Sequence, residues 1–247
     1  MAIFEARKLH KRFGDQVVLE QINLTFEEGR LSGIMGPNGA GKTTCFNVLT
    51  GRYRPNRGEV IFKGENITGL SPEAIVRKGI SRSFQIMNLF DEYTALQNIV
   101  IALPVVRSLG TNVLHAVDGD SAIQDRAADI LDRVGLAGSE HRSAMALSYG
   151  QRRALEIGVA LATDPEILFV DEPTAGLGAD ATRRLADLIR ELKSTTTIVM
   201  IEHDMRFLFE LADQISVIHW GQVISQGTPD ELRTNSWVQR SNLGALA

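Results

Sequence analysis

The sequence predicts an α/β fold: a mainly parallel sheet flanked by helices, an antiparallel β layer near the N-terminus and a helical insert in the middle. Three observations predict it. From Glu166 onward, apolar runs of buried-strand length alternate with helical patterns, the signature of parallel strands joined by helical crossovers. A glycine-rich stretch from Gly36 to Thr43 separates one such run from a helix start. Between about residues 92 and 163, strand-like runs nearly vanish, and Ala, Leu, Asp and Arg recur at helical spacing.

Taken in order, residues 3–6, 17–19 and 22–26 read as short strands, the last alternating apolar and polar, with Gly14 and Gly29 as punctuation. The apolar run 31–35 reads as a buried strand, and residues 44–49 begin a helix. Pro55-Asn56-Arg57-Gly58 is a turn, and residues 59–62 are a strand. Ser71-Pro72-Glu73 is a helix start, with Ser as cap and Pro at the first helical position. Residues 80–84 form another short strand. The insert is most clearly helical over 122–134, with a polar, glycine-containing loop at 117–121. Residues 167–170 and 197–201 are buried-strand runs, and 182–192 is the helix between them. The whole chain, 1–247, reads as one domain: about 1–91 and 164–247 form the sheet core with its β layer, and about 92–163 the helical part.

Bulk properties narrow the class. A chain of 247 residues with 44% hydrophobic and 23% charged content is an ordinary globular protein. The net charge of −4 argues against nucleic acid as the main partner. No run of apolar residues is long enough to span a bilayer. Met1-Ala2-Ile3-Phe4-Glu5 lacks a basic region followed by an apolar core, so no signal peptide is expected. Cys45 is the single cysteine, which excludes an internal disulfide and points to the cytosol. It follows the glycine-rich stretch closely, where a helix N-terminus lowers a thiol pKa; the alternative is a small residue filling buried space.

Gly36-Pro37-Asn38-Gly39-Ala40-Gly41-Lys42-Thr43 matches the phosphate-binding pattern G-x-x-x-x-G-K-[ST]. Glycines let the backbone wrap closely around phosphates, and successive N–H groups with the helix N-terminus bind the negative charge. Lys42 is expected to reach the outer phosphates and Thr43 to ligate Mg²⁺, with Thr44 completing the nucleotide-binding set. The expected cofactors are therefore ATP and Mg²⁺.

Asp171 and Glu172 end the apolar run 167–170, and the C-terminal end of such a strand is where ligands bind in open α/β sheets. Asp171 suits Mg²⁺, and Glu172 suits a base that polarises the attacking water. Alone, the pair could be two surface acids at a strand end. His203 follows the next apolar run, placed to contact the terminal phosphate. Gln85 ends the strand 80–84 and could meet Mg²⁺ or the water.

Leu147-Ser148-Tyr149-Gly150-Gln151 resembles the L-S-G-G-Q signature of the ATP-binding cassette (ABC) ATPases, with Tyr149 in place of the first glycine. The phosphate loop, Gln85, this signature, Asp171-Glu172 and His203 stand in the family's order. The resemblance implies a P-loop ATPase core with an antiparallel β subdomain and a helical subdomain. It implies a head-to-tail dimer with a second ATPase subunit, each ATP held by one chain's phosphate loop and the other's signature. Ser148, Gly150 and Gln151 then face the partner's ATP, and Phe13 stacks on adenine unless it is a core residue. Gln85 corresponds to the glutamine loop that senses nucleotide, Glu172 to the catalytic base and His203 to the switch histidine; with Gln85 they form the expected catalytic set. The metal set is Thr43, Gln85 and Asp171. Where the family often reads S-A-L-D, this chain has Ala175-Gly176-Leu177-Gly178, which puts crosstalk through that loop in doubt.

Longer phrases narrow the resemblance. Gly79-Ile80-Ser81-Arg82-Ser83-Phe84-Gln85, Leu155-Glu156-Ile157 and Ile201-Glu202-His203-Asp204-Met205 are similar to the ATPases of branched-chain amino acid importers, a group that includes urea and amide importers. That implies permease partners, an indirect solute-binding partner, and a peripheral position on the cytoplasmic face of the inner membrane. Phe90 and Tyr93, beside Gln85, are a candidate docking surface or core of the insert. A lipid exporter subunit and a soluble non-transport ATPase are the competing functions.

Overall fold

Two sheets share one chain, and the crossovers between them explain where the sequence motifs end up. The computed structural model describes residues 1–83, 89–107, 120–235 and 238. Strands β1 (Ala2–Phe13) and β2 (Gln16–Glu27) form a long hairpin, and β3 (Leu31–Met35) leads to α1 (Lys42–Leu49). Next come β4 (Arg57–Phe62), β5 (Glu65–Asn66), α2 (Pro72–Arg77) and β6 (Ile80–Arg82). The described middle of the chain is helical: α3 (Ala95–Ala102), α4 (Pro104–Arg107), α5 (Ser121–Arg133), a 3₁₀ turn at Ala144–Ala146 and α6 (Tyr149–Leu161). Then follow β7 (Ile167–Asp171), α7 (Ala179–Lys193), β8 (Thr197–Ile201), α8 (Met205–Leu211), β9 (Gln214–His219), β10 (Gln222–Gly227) and α9 (Pro229–Thr234).

One sheet is antiparallel, in the order β2-β1-β4-β5; the other runs β10-β9-β3-β8-β7-β6. In the second, β9, β3, β8, β7 and β6 are parallel and β10 is an antiparallel edge. Every residue of β3, β7 and β8 is buried, which is why their sequences read as unbroken apolar runs rather than alternating ones.

The period of two then sorts β7 between two cores. Leu168 and Val170 join the helices on one face, while Ile167 and Phe169 join the core between the sheets. Phe169 meets Phe4 at 5.3 Å, Phe46 at 5.2 Å and Phe26 at 6.3 Å between ring centroids, all edge-on. Burying such a ring contributes about 1.5–3 kcal/mol. This packing fixes the strand that carries Asp171 and Glu172.

Local chemistry sets the helix starts. Ser71 accepts from the Ala74 N–H and Pro72 opens α2, as the sequence predicts. Asp120 caps α5, which begins one residue before the expected 122. β1 runs far beyond the expected 3–6. Its register shifts between Ala6 and Leu9 and again before Lys11, and Lys8 sits at φ 48°, so the alternation that marks a strand is lost over its basic second half. β9 and β10 also went unread. Of the expected strand 80–84, β6 covers 80–82; Phe84 and Gln85 lie outside the described residues, as do 117–119 of the expected loop.

Candidate nucleotide site

The phosphate loop is shaped by backbone demands that glycine alone meets. Gly36 has φ 153°, and a Cβ there would lie 2.0 Å from the Ile218 carbonyl oxygen. Gly41, at φ 99°, caps α1, and a Cβ there would lie 2.9 Å from the Val18 carbonyl oxygen. The loop therefore nests against β9 and β2 by backbone contact. α1 starts at Lys42, directing its unpaired N–H groups toward the loop.

Lys42 is buried and donates from Nζ to the carbonyls of Gly36 at 2.7 Å and Pro37 at 2.9 Å. Burial pushes its pKa down, while the carboxylates of Glu172 and Asp171 oppose that shift. A cleft of about 460 Å³ opens here, lined by Val18, the loop from Asn38 to Thr44, Glu172 and His203.

β7 delivers Asp171, fully buried, to its end. Asp171 Oδ2 takes a charge-assisted bond from Arg82 Nη2 at 2.6 Å, and Oδ1 has no hydrogen-bond partner among the described residues. Burial raises the Asp171 pKa, with Arg82 pulling the other way. Arg82 also donates to Asn47 Oδ1 at 2.6 Å and Thr50 Oγ1 at 3.1 Å.

Glu172 stands at φ 45°, uncommon for a residue with a side chain, and its N–H bonds the Ile201 carbonyl at 2.9 Å. Its Oε1 lies 2.6 Å from His203 Nε2. Glu202, buried, accepts from the N–H groups of Thr174 at 2.8 Å, His203 at 2.8 Å and Asp204 at 3.1 Å. Neither Arg82 nor Glu202 was a candidate on sequence grounds. The signal for Arg82 is a cation in a short strand beside the one ending in Asp171.

The signature lies elsewhere. Ser148 caps α6 in a reciprocal box: Gln151 N–H donates to Ser148 Oγ at 3.3 Å, and Ser148 N–H to Gln151 Oε1 at 3.0 Å. Gln151 thus serves the cap. Ser148, Gly150 and Gln151 line a cleft between α5, α6 and α7 that shares no residue with the phosphate-loop cleft. Tyr149 is half exposed and donates its hydroxyl to the Ala175 carbonyl at 3.1 Å.

Phe13 is exposed rather than core, edge-on to Tyr53 at 5.3 Å with Lys11 Nζ 4.9 Å from its ring centre. Phe90 is exposed and stacks on Tyr93 at 5.4 Å. Cys45 is fully buried, and burial pushes its thiol up to about 12, so it fills space. Gln85 lies outside the described residues.

Among the described residues, no helix is long and apolar enough to cross a membrane. The profile of the family described as "ABC transporter" matches residues 19–175. The chain is 41% identical over 251 residues to the high-affinity branched-chain amino acid transport ATP-binding protein BraF of Pseudomonas aeruginosa, covering 98% of each. It is 39% identical over 245 residues to LivG of Salmonella typhimurium, a protein of the same description, covering 96% of this chain and 95% of LivG. Among solved structures, the ADP conformation of MJ1267, an ATP-binding cassette of an ABC transporter, superposes with a TM-score of 0.86 at 28% identity over 99% of both chains. With the phosphate loop, the Asp171-Glu172 pair and the signature on one cassette fold, the chain belongs to the ABC transporter family as a nucleotide-using ATPase.

Proposed function

We propose that this chain is the ATP-hydrolysing subunit that powers an importer of branched-chain or other hydrophobic amino acids, bound peripherally at the cytoplasmic face of the membrane. The similarity to BraF and LivG supports the transport part of the reading, and one observation carries the paired-ATPase part. The phosphate loop, Glu172 and His203 share a cleft, whereas Ser148, Gly150 and Gln151 border a different one. One chain thus presents two half-sites, and the head-to-tail dimer completes both. The second subunit is another copy or a related ATPase, and permease subunits receive the motion; a solute-binding protein acts on them in turn. The division into a core (about 1–91 and 164–247) and a helical part (about 92–163) belongs to the same reading.

The chemistry follows from the residues. The loop from Gly36 to Thr44 binds the phosphates through backbone N–H groups, and Lys42 exchanges its carbonyl contacts for phosphate oxygens. Phe13 stacks on the base, and Val18 lines the cleft beside the loop. The residues fit Mg²⁺: Asp171 has a buried oxygen with no hydrogen-bond partner among the described residues, and Thr43 lines the cleft. When bound, the ion neutralises charge on the phosphate oxygens. Glu172 aligns the attacking water and takes its proton, and His203, already in contact with Glu172, orients the γ-phosphate. Gln85 completes the catalytic and metal set. Closure drives the permease because ATP binds the closed pair better than the open one.

The test is affinity capture of the chain from native membranes with identification of everything retained. Two related permeases and a second ATPase are expected. Recovery of soluble proteins alone would leave the ATPase chemistry standing and overturn the transport assignment.

A further inference from the structure

The segment 171–176, which carries Glu172, hangs by its carbonyls on the signature helix. Arg153 is buried in α6, and its guanidinium donates from Nη2 to the carbonyls of Asp171 at 2.7 Å and Glu172 at 2.8 Å, and from Nε to that of Pro173 at 3.3 Å. Its Nη1 bonds Glu156 Oε2 at 2.6 Å, inside the same helix and equally buried. One turn earlier, Tyr149 reaches the Ala175 carbonyl, and its ring lies 3.2 Å from where a Cβ of Gly176 would stand. Residues four apart share a helix face, so both side chains grip the segment from one side. From the other side, Glu202 holds the Thr174 N–H together with the backbone of His203.

This arrangement explains the backbone of Glu172. A non-glycine residue at φ 45° is strained and persists only where its surroundings over-determine it. Here its carbonyl is fixed by Arg153 and its N–H by Ile201.

We propose that Arg153 and Tyr149 are positioning residues that couple the signature helix to Glu172. Through them, displacement of Ser148 and Gly150 at the partner's nucleotide moves the peptide of the residue that activates water in this chain's own site. The inference rests on the roles given to Glu172 and the signature under Proposed function. It supplies a route between the two sites in a chain that has Gly178 where the resemblance expects an aspartate. It also gives Tyr149, the departure from the family's signature, a purpose.

The experiment is single-turnover hydrolysis of radiolabelled ATP by the full complex, with Arg153→Lys and Tyr149→Phe each made alone and in a Glu172→Gln background. Lysine keeps the charge beside Glu156 but lacks the planar fork that spans several carbonyls. Displacing a reacting group by about 1 Å costs on the order of 100-fold, so Arg153→Lys is expected to slow the step about 10- to 100-fold with ATP affinity within about twofold. Tyr149→Phe loses one hydrogen bond, a slowing of about three- to tenfold. In the Glu172→Gln background neither change should slow the residual rate further, because the carboxylate they position is gone.

A double change, Arg153→Gln with Glu156→Gln, removes both buried charges and should reproduce the loss, with thermal unfolding checking the fold. An Arg153→Lys rate within about twofold of the parent, or a loss that multiplies in full on Glu172→Gln, overturns the coupling. If Glu172→Gln alone keeps turnover within about threefold, the base assignment fails and takes the coupling with it, an outcome separable from failure of the clamp itself.

Discussion

The phosphate loop and the signature both bind phosphate in the proposed reading, yet they are built by opposite means. The loop is backbone: its conformation depends on Gly36 and Gly41, where a Cβ would strike carbonyl oxygens, and its lysine is buried. The signature is side chain: Ser148 and Gln151 cap the start of α6 at the exposed edge of another cleft. The loop is complete for its task within one chain. The signature is held ready on the outside, with its helix anchored behind it by Arg153. In the proposed reading, the difference makes this chain half of each of two sites.

The change expected to break the comparison most severely is Glu172→Gln. Removing a general base costs about 10²- to 10⁴-fold, so turnover should fall by at least about 100-fold while ATP binding survives. A closed dimer should accumulate in Mg-ATP, seen as a doubled mass by light scattering. Turnover within about threefold of the parent assigns the water to another group.

Ser148 sharpens the contrast. Ser148→Ala removes both the cap and the hydroxyl, and loss of a cap costs about 1 kcal/mol, or about 2–4 °C in a chain of this size. Ser148→Gly removes the hydroxyl with only a few tenths of that cost. Both variants should lower turnover about tenfold, and only the alanine should lower the melting temperature measurably. Neither should change ATP affinity of the isolated chain. A loss of that affinity in both would place the signature at the chain's own nucleotide and remove the case for two half-sites.

Phe13→Ala is a smaller test of the loop side. An aromatic stack contributes about 0.5–1.5 kcal/mol, so ATP should bind about two- to tenfold more weakly. Tyr53→Ala removes the ring that Phe13 packs against and leaves the base contact in place. Unchanged ATP binding in Phe13→Ala would reduce Phe13 to a surface partner of Tyr53 and Lys11.

How much of this was legible in the sequence follows from the same contrast. The phosphate loop was legible because close backbone approach demands glycine at fixed spacing. Asp171 and Glu172 were legible because a strand buried on both faces writes an unbroken apolar run before them. Strand β1 was half legible, since its bulges and basic residues erase the period of two. Arg153 and Glu156 were illegible for a physical reason: three residues apart on a helix, they look like an ordinary solvated ion pair, and only tertiary packing buries them. Arg82 and Glu202 were missed likewise, because what matters is the chain segment each one meets across the fold.

The finest test concerns Gly178, the N-cap of α7. With no side chain it offers no cap, its φ of −80° suits any residue, and a Cβ there meets nothing within 4 Å. Gly178→Asp should therefore add an acceptor for the first turn and stabilise by a few tenths of a kcal/mol, with Asp180 nearby trimming the gain through like charge. Chemical denaturation should show a slightly higher midpoint at unchanged slope. Turnover should change by less than about twofold, since the bonds that fix the Glu172 backbone, from Arg153 to its carbonyl and from its N–H to Ile201, do not pass through Gly178. A severalfold rise in turnover would mean that the aspartate restores a link between the two sites that the signature helix does not already supply.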